Sequence, residues 1–99
     1  MDQLQALWQA HLAAGFPHLS VTEVKGVDLA ELDGAVAGCV SAYLSGHRPL
    51  DYQQVEVLKR CERDLLLVTL DFQGGDREYF LRLYTMTSMV LSKLPTTEA

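Results

Sequence analysis

Three histidines, two cysteines and four tyrosines hold most of the chemistry this chain could perform. A structural zinc site needs four ligands at set spacings, and a catalytic site needs three and an open position. His11, His18 and His47 stand too far apart to share a helix face, and no cysteine or carboxylate pair completes a set. No metal and no cofactor is therefore expected. Cys39 and Cys61 form no C-x-x-C. A reactive thiol wants positive, partly open surroundings. Arg60 and Arg63 flank Cys61, but on a helix they leave from other faces, so both cysteines read as small buried hydrophobes. His47, Arg48 and Asp51 gather in a loop and could exchange protons, although Asp51 has a competing role described below. Neither a glycine-rich phosphate cradle nor a nucleophile elbow occurs. The expectation is a protein without catalytic residues.

Ligand binding is the remaining small-molecule chemistry. Gly34, Gly38 and Ala42 recur every four residues, which puts them on one helix face. A glycine inside a helix costs about 1 kcal/mol against alanine, so something should offset two of them. Close packing of another helix would do so, and so would a ligand. A pocket beside the Gly34/Gly38 face, with Tyr43 and Tyr84 as its phenolic lining, is the runner-up functional reading.

The elements that would position these residues are marked by their ends. Asp28 with Glu31 and Asp51 with Gln54 match the capping box, a carboxylate at the cap and Glu or Gln three residues on. Asp2 with Gln5 repeats it, and a fourth start is expected at Asp76. Gly15 before Pro17, Gly46 before Pro49, Gly74 and Pro95 are the expected stops. The resulting helices run over about 2–14, 28–45, 51–73 and 76–94, with 95–99 a frayed tail. Residues 16–27 are expected to be mostly irregular. Apolar residues recur at helical spacing throughout, as in Leu58, Cys61, Leu65, Val68 and Phe72.

The predicted fold is all-α, a small bundle of about four antiparallel-packed helices in one domain spanning 1–99. The alternative is α+β, with Leu65–Phe72 as a strand and a hairpin near 65–84. Leucine-rich composition and an unbroken helical stripe from Val55 to Phe72 favour the helix.

Some apolar residues fit no core stripe. Leu66, Leu67 and Leu70 in the third helix, and Leu81 and Met89 in the fourth, are the candidate interface. A helix apolar on most sides is either enclosed or paired with something else. The first helix could lie across them. Otherwise they meet a partner, and a homodimer or another protein is the expected occupant. The net charge of −5 repels phosphate backbones, so no nucleic acid is expected. The longest apolar run is too short to span a bilayer, and the acidic start Met1-Asp2 does not resemble a signal peptide. A cytoplasmic protein–protein interaction or self-association module is the expectation from sequence, and a small-molecule-binding protein or enzyme with a pocket beside the Gly34/Gly38 face is the alternative.

Overall fold

The computed structural model describes residues 2–94, and the expected tail at 95–99 lies outside them. The fold is a small helical bundle. Helices α1 (Gln3–Ala14), α2 (Leu29–Ser45), α3 (Tyr52–Thr69) and α4 (Gly74–Lys93) are joined by loops, with one hairpin of strands β1 (Glu23–Val24) and β2 (Val27–Asp28) between the first two. Residues 65–69 are helical, so the strand alternative for that stretch does not form.

The helix starts follow from their aspartates. Asp51 Oδ1 accepts from the Gln54 backbone N–H at 2.8 Å, and the Asp51 N–H donates to Gln54 Oε1 at 2.9 Å, a complete capping box. Of the other two boxes, the one at Asp28 is half made and the one at Asp2 is reduced to a simple cap on Leu4. Asp28 Oδ1 accepts from the Glu31 N–H at 2.9 Å, and Asp2 Oδ1 accepts from the Leu4 N–H at 3.1 Å. Asp28 belongs at once to this cap and to β2, so the hairpin runs directly into α2.

The region 16–27 is mostly irregular, as expected, but its end holds one ordered hairpin. Lys25 (φ 52°) and Gly26 (φ 80°) are both left-handed. That pair of conformations makes the tight turn whose twist suits two antiparallel strands. Val24 therefore pairs with Val27 and Glu23 with Asp28. Asn-Gly is the familiar signature for such a turn, and Lys-Gly hides it.

A correction concerns the α3–α4 junction. The third helix stops at Thr69 rather than 73, and α4 begins at Gly74 rather than Asp76. Thr69 and Val68 carbonyls close the last turn onto the Phe72 and Asp71 N–H groups. Arg77 then takes the exposed carbonyls: Nε donates to Phe72 O at 2.8 Å and Nη2 to Leu70 O at 3.1 Å. A side chain from the next helix thus holds the turn between α3 and α4.

Helix α4 touches each of the other three helices. Phe80, Leu83, Met86 and Val90 are fully buried along it, against Leu4, Leu29, Val36, Val40, Leu58, Leu65 and Val68. Burial of each such side chain contributes about 1.5–3 kcal/mol. The molecule measures 40 × 31 × 17 Å, about two stacked helices through its short axis. A body that thin leaves most helices one outward face.

Candidate functional site

The seam between α3 and α4 sets the site. Four contacts fix their register: Ser88 Oγ donates to Glu62 Oε2 at 2.7 Å, Arg77 reaches Leu70 and Phe72, and the Phe72 and Phe80 rings stack at 4.7 Å. Leu66 lies one turn beyond Glu62 on that side of α3, and Leu70 another turn on. Leu81 lies one turn beyond Arg77 on the facing side of α4. These three leucines consequently share the outer edge of the seam. They are 57%, 72% and 49% exposed, whereas Leu65, adjacent to Leu66, is wholly buried.

The other two candidate interface residues are elsewhere. The Leu67 side chain is exposed, but its carbonyl accepts from Lys25 Nζ at 3.1 Å, and Lys25 also pairs with Asp71 at 3.3 Å, so this flank of α3 faces the hairpin. Met89 is half-buried and packs on the core. The first helix packs on α4 through its Tyr79 side and leaves the leucine edge uncovered.

The glycine face proves open. Gly34 and Gly38 are exposed, and a Cβ built on either meets nothing within 4 Å among the described residues. Close packing of another helix, one of the two ways to account for these glycines, is therefore ruled out within the described chain. Tyr43 and Tyr84 are half-buried and packed against the core. A cavity of about 540 Å³ lies at the α2–α3 corner, between Ala42 and Leu50, and none of these four residues lines it. Its polar lining is largely engaged already. Ser45 Oγ donates to Ala42 O at 2.8 Å, and Asp51 and Gln54 cap α3, which leaves His47 and Arg48.

One polar cluster escaped the sequence reading. Asp33 Oδ1 on α2 accepts from the Tyr79 hydroxyl at 2.7 Å and lies 3.3 Å from His11 Nε2. The His11 ring stacks on Trp8 at 5.7 Å and tilts against Tyr79 at 5.1 Å. Burial pushes the Asp33 carboxyl up, but hydrogen bonds from His11 and Tyr79, with the charge of His11, outweigh it and hold Asp33 below its ordinary value. Burial first, then the hydrogen bond to Asp33, raise the Tyr79 phenol. His11 and Tyr79 are 6% and 5% exposed and Asp33 is half-buried, so the cluster clamps α1, α2 and α4 together. Sequence marks His11 and Tyr79 as apolar-face residues, but no local signal points to Asp33. Its partners come from two other helices.

The cysteines are buried and unpaired. Burial drives the Cys61 thiol up to about 11 and raises Cys39 as well, with Asp51 adding to Cys39. Thiolates are scarce in such positions, and the nucleophile with them.

Against protein-family models, curated proteins and solved structures, the chain finds no match. Among the described residues no helix is long and apolar enough to cross a membrane, and no group of three or more His, Cys, Asp or Glu could hold a metal ion.

Proposed function

We propose that this protein is a cytoplasmic protein–protein interaction module whose contact surface is the outer edge of the α3–α4 seam. The observation that carries the reading is the exposure of Leu66, Leu70 and Leu81 on one edge of a bundle whose core is complete without them. Covering a leucine that water now reaches contributes about 1.5–3 kcal/mol when burial is full, so three together suffice to anchor a modest interface. Two buried, unpaired cysteines suit a reducing compartment. A photo-crosslinking residue at position 70 tests the surface inside the source cells, with the exposed position 30 as control. Cross-linking to a polypeptide from 70 and not from 30 is expected. Equal yields from both positions, or none from either, would remove the reading.

A small-ligand role is the second reading, and the cavity at the α2–α3 corner favours it. Its volume of about 540 Å³ lies within the range of ligand sites. His47 and Arg48 are the side chains left there to meet a ligand, so an anionic one suits it best. The Gly34/Gly38 face would be a separate, shallower surface.

A further inference from the structure

We infer that the leucine edge is covered by a second copy of this chain, related by a two-fold axis through the leucines; this rests on the interaction reading and names its partner. The argument is one of charge. Three residues before Leu66, α3 carries Arg63, and three residues before Leu81, α4 carries Glu78. The two helices run antiparallel, so these steps point in opposite directions. A cation and an anion thus bracket the leucines at opposite ends, each about 4.5 Å of helix rise from its leucine. Both are exposed, and neither makes an ion pair among the described residues.

Several charges around them are engaged within the chain. Lys59 pairs with Glu56 at 3.5 Å, Glu62 accepts from Ser88, and Arg77 donates to the Leu70 and Phe72 carbonyls. Arg60, Asp64, Asp76 and Arg82 make no ion pair among the described residues either, but none stands three or four residues from Leu66, Leu70 or Leu81, the spacing that shares a helix face. Of the four charges that do, Glu62 and Arg77 are engaged, and Arg63 and Glu78 remain. A half-turn about an axis through the leucines lays the apolar centre on itself and brings the Arg63 end of each copy to the Glu78 end of the other. A two-fold interface must be self-complementary in this way. An unrelated partner would need the opposite charges in the same order, and the second copy has them by symmetry. The leucines would supply affinity, and the rim charges would set orientation.

Sedimentation velocity and light scattering from about 1 µM to about 1 mM test the assembly. The expected mass rises to twice 11.0 kDa with concentration. Leu70→Glu should abolish the rise while circular dichroism stays unchanged. Arg63→Glu and Glu78→Arg should each weaken dimerisation about ten-fold, and the double reversal should recover most of the loss. A wild type that stays monomeric, while position 70 still cross-links another protein, overturns the second copy and leaves the interaction reading standing. A monomer with no cross-link removes both. A dimer indifferent to the charge reversals overturns the two-fold orientation, and one that survives Leu70→Glu overturns the surface.

Discussion

The Tyr79 hydroxyl on α4 donates to Asp33 Oδ1 on α2 at 2.7 Å, across 46 positions of sequence. His11 on α1 completes the contact from a third helix, at 3.3 Å from the same oxygen. A bundle this thin has few ways to fix three helices at once, and a half-buried carboxylate receiving two donors is one of them.

Asp33→Asn should destabilise the fold by about 1–3 kcal/mol, because two buried donors lose a charged acceptor. Tyr79→Phe should cost about 1–2 kcal/mol, and the double variant less than the sum. The acid dependence follows from the direction of the shift. A carboxyl held below its ordinary value contributes stability that is present above the unfolded value, near 3.8, and is lost as pH falls through the folded one. Urea midpoints measured from pH 7 downward should therefore converge for wild type and Asp33→Asn in acid. Parallel curves would show that the carboxylate plays no such part.

The cysteines set the alkaline limit. Cys61 is raised from about 9 to about 11 and Cys39 is raised too, so their contribution is complete below the unfolded value and disappears as pH climbs through the folded one. Thermal stability should decline between pH 9 and 11, and Cys61→Ala should flatten that decline relative to its own value at pH 7. Thiol reagents at neutral pH should label both sites no faster than global unfolding allows.

Adjacent leucines should behave as opposites. Leu65→Ala leaves a cavity against α4 and should cost about 2–5 kcal/mol, whereas Leu66→Ala should stay within about 0.5 kcal/mol in the isolated monomer. Denaturant titration of the two variants under dilute conditions checks the assignment of α3's faces. A large loss at Leu66 would mean that this edge is already enclosed.

The open glycine face gives a stabilising substitution. Gly34→Ala and Gly38→Ala introduce a methyl group that meets no neighbour within 4 Å, on a helix where alanine is preferred by about 1 kcal/mol. Each should raise the melting temperature by several degrees, since 1 kcal/mol shifts a domain of this size by about 4–8 °C. A fall instead would mean that the backbone there is approached by a group outside the described chain.

Local chemistry determined the helical character of this protein. Aspartates at 2, 28 and 51 accept from the N–H groups two or three residues on, a relationship contained within a single turn, and the helices begin there. The apolar period likewise marks Leu58, Leu65, Phe80 and Val90 as core, because side-chain direction repeats with the helix itself. The tertiary structure decided what depends on meeting a distant element. Arg77 holds the turn that follows α3, Lys25 ties the hairpin to the end of α3, and Asp33 becomes a clamp only when α1 and α4 arrive. The same holds for the leucine edge. Sequence counts Leu66, Leu67, Leu70, Leu81 and Met89 as surplus, but only the α3–α4 register gathers Leu66, Leu70 and Leu81 on one edge, leaves Leu67 exposed on another flank and packs Met89 on the core. Spacing along one helix fixes a direction; which directions face water depends on how many neighbours the fold supplies.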